Sequence, residues 1–296
     1  MRLEGIHHVT AITGDARGNV EFYTGTLGLR LVKKTVNQDD PTVYHLFYAD
    51  EAGSAGADIT FFEYPNARPG RAGAGMVRRV VFRVGSEEAL AFWAERTGGV
   101  RRPGSVRFDD PEGLALELVV DDTGDAPLVA VHPEIPAEFA LRGFAGVRAY
   151  SLDQDASAAF LSGLGFTPGW ECRGERRGSF YVFDEAPAEH GIPGAGTVHH
   201  VAWAARAEDH EAWRERVRSL GGRPTPVIDR FYFRSIYFGE PSGVLFEIAT
   251  LGPGFATDEP PERLGQRLSL PPAFEPLRAE LEQRLTPLPD TRPAAG

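Results

Sequence analysis

The segment VHHVAWAA (residues 198–205) repeats an earlier one, IHHVTAIT (6–13), in its paired histidines and in its run of strand-forming apolar residues. Two more segments share the apolar pattern without the histidines: VRRVVFRV (77–84) and FAGVRAYSL (144–152). Internal repetition decides a fold before any single element does. Working outward from each copy, a helical segment follows. In the first, Asp15-Ala16-Arg17 leads into NVEFYTGTLG; in the second, Ser86 stands as a cap before EEALAFWAERTGG; the third runs DQDASAAFLSGLG and the fourth AEDHEAWRERVRSLGG. Short alternating runs come next, such as LRLVKKTV, TVYHLFYA and ADITFFEY in the first unit, and these read as strands.

The chain therefore predicts an α+β protein of four βαβββ modules, assembled as two pairs of curved mixed sheets around clefts. Residues 1–134 are expected to hold the N-terminal pair of modules and 135–251 the C-terminal pair, with DDTGDAPLVAVHPEIPAEFALRG (121–143) connecting them. Residues 252–296 form a Pro-rich extension with one short helix, PLRAELEQRL, expected to pack on the core and over the mouth of a site.

Composition sets outer limits. The 296 residues carry 31 Lys and Arg against 42 Asp and Glu, a net charge of −11, so no basic face for nucleic acid or an anionic membrane is implied. No apolar run reaches the roughly 18–20 residues of a membrane span, and no signal-peptide core follows Met1. The single cysteine, Cys172, cannot form an internal disulfide, which suits the reducing cytoplasm. An acidic chain of this size is expected to form a homodimer or a higher homo-oligomer.

Chemistry enters where the four copies differ. The position before the shared valine is His8, Arg79, Gly146 and His200 in turn. Neighbouring strand residues face opposite sides, so the valine phase turns His8 and His200 into the cleft and sends His7 and His199 to the other face or the rim. The last strands give a second comparison. Asp110-Pro-Glu-Gly leads to Glu117, and Glu240-Pro-Ser-Gly leads to Glu247; the same place, four residues after a glycine, holds Thr60 and Val182 in units one and three. A carboxylate inside the apolar run VLFEIAT is costly unless compensated, and a divalent cation compensates it. Two imidazoles and one carboxylate form the facial set of non-haem Fe(II) oxygenases, with three positions left open. Glu117 competes for the role of Glu247, but its unit offers Arg79, which points to a salt bridge instead. Glu63 is expected to face away from the cleft by strand alternation.

These motifs, HHVTAIT, VHHVAWAA and GVLFEIAT, resemble the vicinal oxygen chelate superfamily, and more closely its hydroquinone-type ring-cleaving dioxygenases, from Ile6 through SLPPAFEPLR. The resemblance implies Fe(II), with Mn(II) as the alternative, on His8, His200 and Glu247. It implies polar partners at His7, His199, Arg230 and Tyr237, and a small aromatic diol and O2 as substrates. Phe231, Tyr232, Phe233 and Trp203 are candidate pocket walls. Two other activities on this fold stay open. A glyoxalase-like isomerase resembles a four-ligand site, whose extra acid is replaced here by Thr60; a metal-free small-molecule binding protein would dispense with the triad. A catechol-cleaving enzyme would draw its ligands from units three and four, where Gly146 stands in place of a histidine.

Overall fold

A computed structural model describes residues 1–291 of the chain. The first module consists of β1 (Ile6–Thr13), α1 (Ala16–Val20), β2 (Arg30–Val36), β3 (Tyr44–Ala49) and β4 (Asp58–Glu63). The second holds β5 (Val77–Val84), α2 (Glu87–Thr97), β6 (Val100–Arg102), β7 (Ser105–Asp109) and β8 (Ala115–Val120). The third is shorter, with β9 (Phe144–Ser151), α3 (Gln154–Gly163), β10 (Glu171–Arg173) and β11 (Gly178–Glu185). The fourth contains β12 (Val198–Ala205), α4 (His210–Ser219), β13 (Ile228–Asp229), β14 (Arg234–Gly239) and β15 (Leu245–Thr250). Module three has one strand fewer than the repeat predicts. Where that strand would lie, Pro168 lacks an amide donor and Gly169 turns the chain at positive φ, leaving only a bridge between Thr167 and Glu171.

Local chemistry explains the helix starts. Asp15, Ser86 and Asp153 each accept a hydrogen bond from a first-turn amide, of Gly18, Ala89 and Ala156 respectively. The first helix changes hydrogen-bond pattern after one turn, continuing as a π-helix over Glu21–Thr26. The acidic residue of each Asp/Glu-Pro-x-Gly turn serves the turn itself. Asp110 accepts from the amides of Glu112 and Leu114, and Glu240 from those of Ser242 and Val244.

Two sheets result, and their pairing differs from a division into halves. The eight-stranded sheet runs β13-β14-β15-β12-β1-β4-β3-β2, and the seven-stranded sheet β10-β11-β9-β5-β8-β7-β6. Module one thus joins module four, and module two joins module three. The antiparallel seams β1–β12 and β5–β9 impose this, because each first strand is flanked by its own module's last strand and by the first strand of the partner module. The boundary near residue 134 separates modules by chain order, whereas each sheet draws one module from either side of it.

Each seam carries two β-bulges. Along β1–β12, Ile6 pairs with Trp203 but His8 with Ala202, which leaves His7 as an extra residue; Thr10 pairs with His200 but Ala11 with Val198, which leaves His199 extra. The β5–β9 seam shifts at the corresponding positions, Arg78 and Ala145. A bulge breaks strict alternation, so two consecutive side chains can turn to one face.

The main core lies beneath the sheets and the helices, with Trp93, Trp203, Tyr23, Phe82 and Phe144 fully buried. A smaller apolar cluster, including Val32, Phe47, Ala202, Tyr232, Phe233 and Phe255, lines the opposite face of the eight-stranded sheet. The C-terminal extension reaches that face. Phe255 packs on Phe47 and Tyr232, Leu268 bridges to Lys34 at the sheet edge, and the final helix α5 (Arg278–Arg284) buries Leu281. No helix among the described residues is long and apolar enough to cross a membrane.

Lys33 pins the extension. Its side chain is fully buried, and its ammonium donates to Asp258 (2.7 Å) and Glu259 and lies 4.8 Å from the Tyr232 ring centre. A buried carboxylate that loses its cation costs about 3–5 kcal/mol. Lys33→Ala is expected to destabilise the protein by about that much in urea unfolding and to expose the region after residue 252 to limited proteolysis. Unchanged stability and cleavage would mean that the extension is held by its apolar contacts alone.

Candidate metal centre

The first strands of modules one and four and the last strand of module four bring three side chains to one point. His8 lies on β1, His200 on β12 and Glu247 on β15, and all three are buried. Glu247 pairs with Ala202 in the parallel β12–β15 ladder, and Thr60 pairs with Thr10 in the equivalent β1–β4 ladder. The structural register thus matches the spacing from the turn glycines: Thr60 stands in module one where Glu247 stands in module four.

One donor atom from each of the three residues lies within 4.8 Å of the others, a group that could hold a metal ion. The His8 Nε2 to Glu247 Oε2 distance is 3.2 Å, His200 Nε2 to Glu247 Oε2 is 3.0 Å, and the two Nε2 atoms are 3.2 Å apart. With metal–ligand bonds of roughly 2.1 Å, donors at right angles stand about 3.0 Å apart and donors at the tetrahedral angle about 3.4 Å apart. The observed separations fall within these two values, as donors around one ion require. Glu247 Oε1 accepts a hydrogen bond from Ser235, whereas Oε2, buried and facing both imidazoles, has no hydrogen-bond partner among the described residues. Its contacts with the two histidines are therefore charge contacts and not aligned N–H bonds. A cation at the centre of the triangle satisfies all three donors.

The bulges give each candidate ligand a histidine neighbour. Nδ1 of His7 lies 2.9 Å from Nδ1 of His8, and Nδ1 of His199 lies 2.8 Å from Nδ1 of His200. Strict alternation would have sent His7 and His199 to the far face; the two bulges put them beside the ligands. If His8 and His200 present bare Nε2 atoms, their protons sit on Nδ1 and are donated to the neighbours, which fixes tautomer and ring orientation. Burial holds His7 down at about 3, and desolvation of its ring beside His200 holds the otherwise exposed His199 at about 4, which favours both as acceptors. Burial also lowers His200. For Glu247 burial alone would act upward, but the electrostatic influence of His8 and His200 beside it outweighs burial and holds the carboxyl well below the usual range.

Tyr237 is the cross-strand neighbour of Glu247 on β14, and its ring centre is 5.8 Å from that of His200. Arg230 donates to the Tyr237 hydroxyl (3.2 Å) and forms a two-point ion pair with Asp39 (3.0 and 2.9 Å), so both predicted residues reach the same side of the centre. Burial and the Glu247 charge push the Tyr237 phenol up, against the opposing pull of Arg230.

Phe233 packs on His7 and His8 at 5.1 and 5.2 Å between ring centres. It lines a small cavity with Tyr232, Phe47, Phe62, His45 and Arg230. Phe231, at φ 69°, packs instead on Tyr232 at the loop surface. Trp203 does not join the site. It follows the cleft-facing Ala202 on β12, points into the main core, and stacks edge-on against Phe166 and Phe246.

Sequence reasoning missed Thr10, Thr60, Ser235 and His45. Their signal was alternation: His45 and Phe47 share a face of β3, and Ser235 and Tyr237 share one of β14. Glu63 is 2% exposed and accepts from Thr286, away from the triad. In the seven-stranded sheet, the place of the candidate triad is taken by ion pairs. Glu117 is held by Arg79 (3.3 Å) and Arg107 (2.8 Å), and Asp184 by Arg78 and Arg148.

Comparison with known proteins agrees with this construction. The Glyoxalase/Bleomycin resistance protein/Dioxygenase superfamily model matches residues 5–118 and 144–248. The chain is 42% identical over 305 residues to "Putative ring-cleaving dioxygenase MhqO" of Bacillus subtilis, with 96% of each protein covered. It is 33% identical over 319 residues to "Chlorohydroquinone/hydroquinone 1,2-dioxygenase" of Sphingobium indicum, with 95% of each covered. A solved Bacillus subtilis structure titled as a putative dioxygenase superposes with TM-score 0.88 at 40% identity, covering 98% of this chain and 99% of that one. Glyoxalase I from Zea mays, at TM-score 0.57 and 17% identity over 83% of this chain and 92% of its own, shares the fold. With the duplicated modules, the register and these matches in agreement, the chain belongs to the Glyoxalase/Bleomycin resistance protein/Dioxygenase superfamily, the vicinal oxygen chelate fold.

Proposed function

We propose that this protein is an Fe(II)-dependent ring-cleaving dioxygenase that inserts O2 into a hydroquinone-type ring, opening it beside a hydroxyl-bearing carbon (1,2-cleavage). The observation that carries this reading is the buried His8–His200–Glu247 triangle with its orphaned carboxylate oxygen. The names of the relatives supply the direction of the chemistry. Thr60 at the place of a second acid disfavours a four-ligand isomerase site.

His8 Nε2, His200 Nε2 and Glu247 Oε2 would hold the metal on one face. Ferrous iron, when bound, supplies the one-electron chemistry that lets O2 react with an aromatic ring; Mn(II) suits the same donors. His7 and His199 fix the ligand imidazoles through their Nδ1 contacts. Tyr237 and Arg230 present a hydroxyl and a guanidinium where a deprotonated phenol oxygen would gather charge. Phe47, Phe62, Phe233 and Tyr232 offer flat apolar walls that suit a benzene ring and keep water away from it.

The first test is oxygen uptake by anaerobically purified protein loaded with Fe(II) or Mn(II). Methylhydroquinone, catechol and the hemithioacetal of methylglyoxal and glutathione would be offered in parallel. Stoichiometric O2 consumption with the hydroquinone and a ring-opened absorbance are expected. Isomerisation of the hemithioacetal without O2 consumption would move the chain to glyoxalase chemistry.

Two sets of variants follow from the geometry. His8→Ala, His200→Ala and Glu247→Ala should each lose iron on gel filtration while circular dichroism stays unchanged, and full iron retention in any one removes that residue from the ligand set. Tyr237→Phe should keep its iron and lose turnover by about 100-fold, the scale for removing one donor to a developing anion. An unaltered kcat would return Tyr237 to a packing role.

A further inference from the structure

A row of hydrogen bonds leaves the metal centre through residues that no ligand role explains. Thr10 Oγ1 lies 2.9 Å from His200 Nε2, Thr60 Oγ1 lies 2.8 Å from Thr10 Oγ1, and His45 Nε2 lies 2.9 Å from Thr60 Oγ1. The row crosses three adjacent strands, β1, β4 and β3, and ends on a wall of the cavity beside the centre. Both threonines are completely buried. The His45 ring is fixed between Phe47 and Phe62, with ring centres 3.9 and 4.3 Å away. A valine would fill each threonine's space without needing partners, so the paired hydroxyls call for a polar explanation.

A phenolic diol that loses a proton at the centre needs an acceptor. Arg230 is a permanent cation, and the Tyr237 phenol is itself pushed above its ordinary range. His7 and His199 have their Nδ1 atoms committed to the neighbouring imidazoles. The hydroxyl row offers an exit built of side chains that have no other role at the centre.

We propose that Thr10, Thr60 and His45 form a proton path that carries the hydroxyl proton of a bound diol from the metal centre to the cavity wall. The inference rests on the diol-binding function proposed above. With the His200 Nε2 lone pair committed to a metal, Thr10 has no acceptor there and donates to Thr60, which donates to His45; each hydroxyl owns one proton, so the order is single. When the diol O–H bond breaks, its proton goes to Thr10 Oγ1. The proton of Thr10 passes to Thr60 Oγ1, and that of Thr60 to His45 Nε2. Both threonines end with one proton each, no electron is exchanged, and the cationic His45 balances the phenolate until its Nδ1 proton leaves to cavity water. The path requires neutral His45 to carry its proton on Nδ1, with Nε2 bare toward Thr60, and burial disfavours the cation so that it passes its proton on.

The test mixes methylhydroquinone anaerobically with the Fe(II)-loaded full chain and follows phenolate absorbance by stopped flow, with iron content measured in each sample. In Thr60→Val and His45→Gln the phenolate should form about 100-fold more slowly than in the wild type, the range for a positioned proton acceptor, with iron unchanged. Gln retains an acceptor for the Thr60 hydroxyl but cannot take a proton, so a purely structural hydrogen bond would survive this change. His45→Ala should be slow and recover with added imidazole. Wild-type rates in both Thr60→Val and His45→Gln, or no imidazole rescue of a slow His45→Ala, would overturn the path. A wild type that holds iron but gives no phenolate with any diol would overturn the diol-binding function itself, and the path with it.

Discussion

The antiparallel seam between β1 and β12 is the constraint on which the rest of the site depends. It joins the beginning of the chain to a segment almost two hundred residues later, and it places His8 and His200 on one face of one sheet. Its two bulges double the yield of histidines on that face, since each candidate ligand gains an imidazole neighbour in register with its Nδ1. A flat ladder with the same sequence would bury two histidines and strand the other two on the far side. Bulged strands twist more strongly, which also suits a sheet curved around a cleft.

The second constraint is the cost of a carboxylate inside a sheet. Glu247 and Glu117 occupy equivalent places in two modules, and the protein answers the same problem twice. In the seven-stranded sheet Arg79 and Arg107 neutralise Glu117 directly, leaving no acceptor bare. In the eight-stranded sheet the neighbours are imidazoles and Ser235 satisfies only one oxygen, so Oε2 has no hydrogen-bond donor among the described residues. A histidine in place of arginine on the first strand, and Tyr237 in place of Arg107 on the neighbouring strand, thus separate a closed ion pair from a carboxylate with an unpartnered oxygen.

Much of this was legible in the sequence because it depends on spacing. The repeat of strand, helix and strands is periodic. The place four residues after the turn glycine transfers between modules without regard to packing, which is why Glu247, Glu117, Thr60 and Val182 align in the observed ladders. The bulges were not legible. An extra residue in one strand leaves the apolar pattern intact and shows only in the pairing of two strands, so alternation alone sent His7 and His199 to the other face or the rim, while the family resemblance set them beside the site. The pairing of module one with module four was equally hidden as a rule for the sheets, because chain order says nothing about which first strands adjoin. Trp203 illustrates the limit of aromatic content as a signal: one position from the cleft on β12 is the far side of the sheet. His45, Thr10 and Thr60 are ordinary residues of strands, and only the register β1–β4–β3 aligns them.

The site is finally a product of distant parts. The His8–His200–Glu247 triangle draws on modules one and four, Arg230 and Asp39 pair across both, and the C-terminal extension reaches the same face through Asp258, which accepts from both Lys33 and Tyr232. Tyr232 in turn packs in the loop that carries Arg230 and Phe233. Because a buried lysine and two carboxylates are stable only when all are in place, the extension either seats completely or leaves charges unpaired. Docking of the extension and ordering of the Tyr232 side chain beside the cavity are therefore coupled through the same buried charges.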